Sequence, residues 1–332
     1  MKFNIYRIID VNLNRATEGL RVVEEICRFV LEDKKLTLEV KKLRGNLRMG
    51  RKLSIRHALS DVGRGLYPEK EGKRRGIEDI FRANIKRAQE AVRCLEEFSK
   101  LIGPAPGRKF KQIRFKLYDL EKRIAARLGR YQKLDFDLYI VTDPMRDHVK
   151  AARDAVAGGA KIIQLRDKNA PKGQIVKWAR QIRRIAPILI INDYVDIVNK
   201  VGADGVHLGQ EDLKKTSIAK VRSVLGEDKI IGISVQNVPQ ALKAEKLGAD
   251  YVAPGPMFAT PGKPGLKPLG LIMLRKIMKK VKIPVVAIGG INESNIYNVR
   301  KTGCRRAAVI RAVLEKKNMR GAARKLINSF AD

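Results

Sequence analysis

The chain has 332 residues, enough for two domains of ordinary size or for one large barrel with an extension. It contains 70 lysines and arginines against 35 aspartates and glutamates. Residues 1–133 contain 34 of the basic residues and 17 of the acidic ones, so the basic excess is evenly spread. An even spread is typical of a general surface property, which disfavours nucleic acid as a partner. No apolar run is long enough to span a bilayer and no secretory signal begins at Met1, which disfavours a membrane protein. Three cysteines without metal-ligand spacing favour a reducing, cytoplasmic location.

Residues 1–131 are predicted to form an all-helical domain, because leucine, arginine, glutamate and lysine recur there at helical spacing. This part of the chain contains an internal repeat, in which residues 84–97 (NIKRAQEAVRCLEE) echo residues 12–25 (NLNRATEGLRVVEE). The repeat predicts two related helices of a pseudo-symmetric bundle, with a shared polar cleft suited to phosphate and Mg²⁺. The alternative is ordinary pairing on a helix surface, as between Arg21 and Glu25.

Residues 135–332 are predicted to form a (β/α)8 TIM barrel, so the fold class is α/β with an all-α domain in front. Eight short apolar runs alternate with helical patterns, as expected of parallel strands that are buried on both faces. An open doubly wound sheet is the alternative, and the lack of a dinucleotide-binding fingerprint disfavours it. The predicted strands are 138–142, 161–165, 188–191, 205–208, 230–234, 251–253, 285–288 and 307–310.

Polar residues follow these strands at the end where the active sites of such barrels lie. Asp193 comes after the third strand and Asp212 after the fourth, and two carboxylates on one rim suit a Mg²⁺ ion. Three cations lie on the same rim: Arg166 and Lys168 follow the second strand, and Lys263 follows the sixth. Glycines before helix N-termini after the seventh and eighth strands predict a phosphate site. The rim therefore fits a diphosphate beside a monophosphate.

Seven motifs in this region resemble thiamine-phosphate synthase: LYIVTD at 138, QLRDK at 164, IND at 191, GVHLGQED at 205, GIS at 232, GPMF at 255 and IGGI at 288. That family joins an aminopyrimidine methyl diphosphate to a thiazole phosphate by a dissociative substitution that releases pyrophosphate. The resemblance implies one Mg²⁺ held by Asp193 and Asp212, and catalytic roles for Arg166, Ser234 and Lys263. The residues implied in binding the pyrimidine diphosphate are Gln164, Leu165, Arg166, Asp167, Lys168, Asn192, Ser234 and Lys263. Those implied in binding the thiazole phosphate are Thr260, Pro261, Gly262, Gly290, Ile310 and Arg311.

Two positions depart from the family pattern. Gly262 stands where the family usually has a threonine, which removes one hydroxyl contact to the thiazole phosphate. Arg311 stands where the family usually has a serine, and we interpret it as a compensating charge for the same phosphate. The departures leave open a relative that acts in regulation, or that removes or rearranges thiazole compounds.

The helical third resembles the extension found ahead of some thiamine-phosphate synthases, through the motifs NLNRATEGLRV at 12 and DVG at 61. The family of that extension has been proposed to phosphorylate hydroxymethylpyrimidine phosphate, which implies ATP as a phosphate donor. The alternative is a domain for homo-oligomerisation or docking, and a more remote one is a basic nucleic-acid-binding protein on a degenerate barrel. The candidate cleft residues are Asn12, Arg15, Glu18, Arg21, Asp61, Arg87, Glu90 and Arg93.

Overall fold

The computed structural model describes residues 5–47, 73–262 and 265–331. The chain divides into two compact units, Met1–Gly129 and Arg130–Asp332. Each unit has its own hydrophobic core. In the described ranges, no helix has both the length and the apolar character needed to cross a membrane.

The first unit is helical, as the sequence predicts. Its elements are α1 (Ile5–Glu25), a π-helical turn (Ile26–Val30), α2 (Lys34–Asn46), α3 (Ile77–Ser99) and α4 (Pro104–Lys133), whose last turn lies in the second unit. Asp33 starts α2, because its carboxylate accepts hydrogen bonds of 3.0 Å from the otherwise unpaired backbone amides of Lys35 and Leu36.

Helices α1 and α3, which contain the two copies of the repeat, pack directly against each other. Ala16 and Leu20 of α1 are fully buried, and so are Ile85 and Ala88 of α3. The helices approach closely at Gly19, where an added Cβ atom would lie 2.7 Å from a backbone carbonyl oxygen of α3. A small residue at this crossing therefore sets the distance between the two helices.

The repeat extends to a pair of buried ion pairs. The carboxylate of Glu24 in α1 accepts a hydrogen bond of 2.9 Å from Nε of Arg44 in α2. At the equivalent place in α3, Glu96 accepts a hydrogen bond of 2.7 Å from Nε of Arg114 in α4, and this bond lowers the pKa of Glu96. Each buried carboxylate is compensated by an arginine, and each arginine ties the following helix to its repeat helix.

The described residues of the second unit form eight parallel strands, which confirms the predicted TIM-barrel fold. The strands are β1 (Leu138–Val141), β2 (Ile162–Leu165), β3 (Ile188–Asn192), β4 (Gly205–Leu208), β5 (Ile230–Val235), β6 (Tyr251–Pro254), β7 (Ala287–Ile288) and β8 (Ala307–Val309). Hydrogen bonds join them in the order β6-β5-β4-β3-β2-β1-β8-β7. An isolated bridge between Val252 of β6 and Val285, two residues before β7, closes the barrel.

Helices surround the strands. They are α5 (His148–Ala157), α6 (Lys172–Arg183), α7 (Val195–Val201), α8 (Gln210–Lys215), α9 (Ile218–Leu225), α10 (Val238–Lys246), α11 (Gly270–Lys280), α12 (Ile296–Arg300), α13 (Arg311–Leu314) and α14 (Met319–Ala331). Alternate strand residues point inward, where a cluster that includes Phe136, Tyr139, Ile190 and Tyr251 fills the barrel. The other strand residues pack against the helices in a separate, larger core.

Two buried aspartates stabilise the end of the barrel opposite the strand C-termini. Asp250 accepts a hydrogen bond of 2.9 Å from Nε of Arg130, and a second from Arg222 at 2.5 Å. Asp204 accepts one of 2.7 Å from Nζ of Lys133. Each aspartate also accepts a hydrogen bond from a backbone amide of the neighbouring strand. The last turn of α4 therefore supplies a cation to both buried carboxylates.

Candidate active site

A cleft opens at the C-terminal ends of the strands, where parallel barrels place their active sites. It has two compartments, a large cavity of about 840 Å³ and a small cavity of about 210 Å³. Arg166, Asn192, His207 and Ser234 line both, so the compartments meet at these four side chains. The cleft is lined by these predicted residues: Gln164, Arg166, Lys168, Asn192, Asp193, Asp212, Ser234, Thr260, Gly262, Gly290, Ile310 and Arg311.

Asp193 and Asp212 lie close together in the large cavity. Asp193 follows β3 with a backbone φ of 64°, a left-handed conformation that aspartate tolerates better than most residues. Asp212 lies in the first turn of α8, where its carboxylate accepts a 2.8 Å hydrogen bond from the Gly209 amide. Burial and the nearby negative charge of Asp212 raise the pKa of Asp193 to about 6. Because the two charges repel, a bound cation would stabilise this pair.

Two cations extend from the loop after β2 toward this pair. Arg166 forms an ion pair with Asp143, with 3.2 Å between Nη1 and Oδ2. Nζ of Lys168 lies 3.9 Å from Oδ2 of Asp193, and its side chain is 61% exposed. Arg166 is therefore oriented by a neighbour, whereas Lys168 is accessible to an anionic ligand.

Asp167, between these two cations, holds the loop in place. Its Oδ1 accepts hydrogen bonds of 2.9 Å from the amides of Asn169 and Ala170, and its Oδ2 lies 3.2 Å from Nε2 of the buried His148. Burial tends to raise the pKa of Asp167, but these hydrogen bonds outweigh burial and lower it. The carboxylate of Asp167 therefore positions the loop, and its predicted substrate contact stays a prediction.

Two other residues with predicted substrate contacts line neither cavity. The side chain of Leu165 is buried in the core between strands and helices, because it faces outward from β2. Pro261 is exposed and lines neither cavity. Lys263 lies outside the described residues.

The loops that follow β6, β7 and β8 form one side of the small cavity. Gly290 has a φ of 67°, and an added Cβ would lie 2.7 Å from the carbonyl oxygen of Ala259. Glycine is therefore needed for the loop after β7 to approach the loop after β6. Arg311 begins α13, its side chain is 41% exposed, and its Nη1 lies 3.4 Å from Glu315. Such an exposed pair is weak, and Arg311 lines the small cavity.

Asp143 and Gln210 are among the polar residues of the cleft that were not predicted. Asp143 follows β1 directly, and the rule that was applied to the later strands would have found it. Gln210 begins α8, and its amide donates a 2.5 Å hydrogen bond to the carbonyl oxygen of Ser234. No spacing pattern marks Gln210, since its contact is with a strand 24 residues away.

The candidate residues of the helical unit lie mainly on exposed surfaces. Arg15, Glu18, Arg21, Arg87, Glu90 and Arg93 are all exposed. Arg21 contacts Glu25 at 2.5 Å, and Arg93 contacts Glu97 at 2.9 Å, which is the surface pairing that the sequence left as an alternative. Asn12 is buried and donates to the carbonyl of Ile8 in its own helix at 2.9 Å. Asp61 lies outside the described residues.

Comparison with known proteins matches each unit to a family. The profile of the thiamine monophosphate synthase family matches residues 138–313, and that of the ThiD2 family matches residues 7–123. The thiamine-phosphate synthase of Synechocystis sp. is 40% identical over 334 residues, which cover 98% of this chain and 96% of that protein. The thiamine-phosphate synthase of Thermosynechococcus vestitus is 38% identical over 337 residues, covering 98% and 95%.

A solved structure supports the same relationship for the barrel. The thiamine phosphate pyrophosphorylase of Pyrococcus furiosus is 39% identical to this chain and superposes with a TM-score of 0.56. The match covers 60% of this chain and 98% of that one.

Proposed function

The chain belongs to the thiamine-phosphate synthase family, and we propose that its barrel joins an aminopyrimidine methyl diphosphate to a thiazole phosphate, with pyrophosphate as the leaving group. The observation that carries this proposal is the convergence of a carboxylate pair, Asp193 and Asp212, with two cations, Arg166 and Lys168, in one cleft. A diphosphate leaving group needs this donor set, because carboxylates hold a metal while cations bind phosphate oxygens.

The pair formed by Asp193 and Asp212 fits a Mg²⁺ ion. The raised pKa of Asp193 reflects burial and the repulsion between two carboxylates, which a divalent cation would relieve. Mg²⁺ commonly takes one or two carboxylates from a protein and completes its shell with water and phosphate oxygens. Among the described residues no group of three or more His, Cys, Asp or Glu side chains is placed to hold a metal, so the proposed site has only two protein carboxylates. The bound ion would neutralise charge on the departing pyrophosphate.

In this proposal, side chains between the two compartments act on the bond that breaks. Arg166 and Ser234 line both cavities, so each lies between the site for the diphosphate and the site for the thiazole phosphate. Asp143 orients the guanidinium of Arg166, which binds phosphate oxygens as a planar fork. The carbon–oxygen bond of the pyrimidine methylene breaks, its electrons leave with pyrophosphate, and the thiazole nitrogen then forms the new bond. No protein nucleophile is required.

A pair of arginine variants tests the barrel assignment. Arg166→Ala should lower the rate of thiamine phosphate formation by about a hundredfold or more, because a positioned cation is lost from the leaving group. Arg180→Ala removes an exposed arginine of α6 and should leave the rate unchanged. Equal rates for both variants would remove Arg166 from the reaction. The rates are measured on the full chain with both substrates and Mg²⁺.

For the helical unit we propose phosphorylation of hydroxymethylpyrimidine phosphate by ATP, which would supply the diphosphate that the barrel uses. Support comes from the ThiD2 family match to residues 7–123. It also comes from Arg15, Glu18, Arg87 and Glu90, which are exposed at equivalent places of the repeat and have no ion-pair partner among the described residues. The same exposure favours a second candidate, a surface for homo-oligomerisation or docking.

Arg15→Ala distinguishes the two candidates. A kinase cleft predicts that this variant loses ATP-dependent phosphorylation while its molar mass by light scattering stays unchanged. A docking surface predicts a smaller assembly with unchanged chemistry. Arg82→Ala is the matched control, because Arg82 is an exposed arginine of α3 that pairs with Glu78 in the same helix. Both readouts should stay at the wild-type level in this control.

A further inference from the structure

Five side chains form an unbroken chain of hydrogen bonds across the barrel interior, from β2 to β5. Nε2 of Gln164 donates to Oη of Tyr139 at 2.8 Å, and that oxygen lies 3.1 Å from Oη of Tyr251. Oη of Tyr251 lies 2.8 Å from Nδ1 of His207, and Nε2 of His207 lies 2.9 Å from Oγ of Ser234. Both tyrosines are fully buried, and Ser234 lies at the junction of the two cavities.

The barrel has space for this chain because β5 contains Gly232. A Cβ atom at Gly232 would overlap the ring of Tyr251, so a glycine here lets the phenol cross the interior. The ring of His207 stacks on that of Tyr251, with 5.6 Å between the ring centres. The position of each ring in the chain is therefore set by packing as well as by hydrogen bonds.

Each hydroxyl in this hydrogen-bond chain has one proton to donate, so all of the hydrogen bonds point in one direction. Because Gln164 donates its amide, Oη of Tyr139 accepts, and the Tyr139 proton goes to Tyr251. In a neutral imidazole, Nδ1 of His207 then accepts the Tyr251 proton and Nε2 carries the proton of the ring. That proton goes to Oγ of Ser234. The hydroxyl proton of Ser234 is then available to a ligand in the cleft.

The protonation state of the two phenols agrees with this direction. Burial raises the pKa of Tyr139 and of Tyr251, so each keeps the single proton that it must pass along the chain. Hydrogen bonds in series polarise one another, which makes the last donor stronger than an isolated hydroxyl. The end of the chain at Ser234 is therefore suited to an anionic acceptor.

We propose that Tyr139, Tyr251 and His207 are positioning residues that fix the Ser234 hydroxyl as a hydrogen-bond donor to the diphosphate. This inference rests on the proposed function, in which Ser234 contacts the pyrimidine diphosphate. With the chain intact, Ser234 accepts from His207 and must turn its proton toward the cleft. With the chain broken, the hydroxyl can donate to His207 instead and present its lone pairs to the phosphate, which is repulsive.

The test is a double-mutant cycle on the binding of inorganic pyrophosphate in the presence of Mg²⁺, measured by calorimetry on the full chain. Ser234→Ala should weaken binding by about tenfold or more, the effect of losing a hydrogen bond to a charged group. Tyr251→Phe should weaken it by a similar factor, although Tyr251 does not reach the cleft. The double variant should bind no more weakly than Ser234→Ala alone, since Tyr251 acts only through Ser234.

Several outcomes would overturn the inference. Losses that multiply in the double variant would mean that Tyr251 acts independently of Ser234. Wild-type binding in both Tyr251→Phe and Tyr139→Phe would mean that the phenol hydroxyls orient nothing. Tyr139→Phe keeps the test available if Tyr251→Phe does not fold. Tyr297→Phe removes an exposed hydroxyl from α12 and should bind pyrophosphate as the wild type does.

The same variants separate this inference from the proposed function. Pyrophosphate binding does not require synthesis, so a wild type that binds pyrophosphate and makes no thiamine phosphate contradicts the proposed function alone. If the wild type makes thiamine phosphate but the losses of pyrophosphate affinity multiply in the double variant, only the inference about the hydrogen-bond chain is contradicted. For an active enzyme we expect the turnover numbers of the variants to show the same non-additive pattern as their binding constants. The thermal unfolding midpoints of the folded variants should not show this pattern.

Discussion

Replacing Asp193 by asparagine should stabilise the metal-free protein at neutral pH. In the folded chain the pKa of Asp193 rises from 3.8 to about 6, because of burial and the charge of Asp212. A pKa raised by about two corresponds to a penalty of about 3 kcal/mol for the ionised group. Because 23% of the side chain is exposed to water, solvent screening reduces this to about 1–2 kcal/mol. Asparagine keeps the size, loses the charge and tolerates the φ of 64° at this position.

The pH dependence follows from the sign of this shift. A carboxyl group whose pKa is higher in the folded chain binds its proton more tightly there than in the unfolded chain. Its favourable contribution is complete below a pH of about 4 and is lost as the pH rises through about 6. The stability gained by Asp193→Asn should therefore grow across this window and stay constant above it.

Thermal unfolding in the presence of EDTA measures the effect. At pH values above the window we expect the barrel of Asp193→Asn to melt about 3–6 °C higher than that of the wild type. Added Mg²⁺ should raise the midpoint of the wild type by mass action and leave the variant unchanged. Asp196→Asn, at an exposed position of α7, should behave as the wild type in both conditions. A variant less stable than the wild type in EDTA at neutral pH would refute the repulsion between the carboxylates.

Three further predictions follow from single contacts. Asp250→Ala should lower the free energy of urea unfolding by about 3–5 kcal/mol, because it removes the buried carboxylate that both Arg130 and Arg222 contact; an unchanged free energy of unfolding would mean that this cluster does not contribute to stability. Gly19→Ala should destabilise the helical unit by about 1–3 kcal/mol in thermal unfolding, because its Cβ meets a backbone oxygen 2.7 Å away. Gly45→Ala has open space around its Cβ, and should be neutral or slightly stabilising. Arg311→Ser should raise the KM for thiazole phosphate by about tenfold and leave the KM for the diphosphate unchanged; no change in the former would place Arg311 outside the site.

The barrel could be predicted from the sequence because strands buried on both faces form short, nearly continuous apolar runs. The boundaries were less accurate where the geometry is irregular. The run 285–288 was predicted as one strand, whereas β7 contains Ala287 and Ile288 alone, and Val285 forms only an isolated bridge. A proline at 284 limits pairing at this point, since it has no amide to donate.

The candidate site was predictable where it depends on topology alone. Asp193 and Asp212 follow consecutive parallel strands, so their proximity follows from the fold. The orientation of single side chains was not predictable from their place in a motif. Leu165 and Asp167 belong to the same motif as Gln164 and Arg166, yet one faces the outer core and the other faces its own loop. Strand alternation was a usable signal for Leu165, since its neighbour Gln164 points inward.

The buried hydrogen-bond chain has no local signature. Tyr139 and Tyr251 are 112 residues apart, and their contact depends on the register of six strands. Gly232 in the middle of β5 was a usable sequence signal for it, because a glycine inside a strand indicates close approach by another group.

The most direct test of the central claim is product formation by the full chain from ready-made pyrimidine diphosphate and thiazole phosphate. One reaction contains Mg²⁺ and a second contains EDTA. The account predicts equal amounts of thiamine phosphate and pyrophosphate in the first reaction and a strongly reduced rate in the second. No thiamine phosphate in the presence of Mg²⁺ would contradict the synthase assignment, and equal rates in both reactions would contradict the role of Asp193 and Asp212.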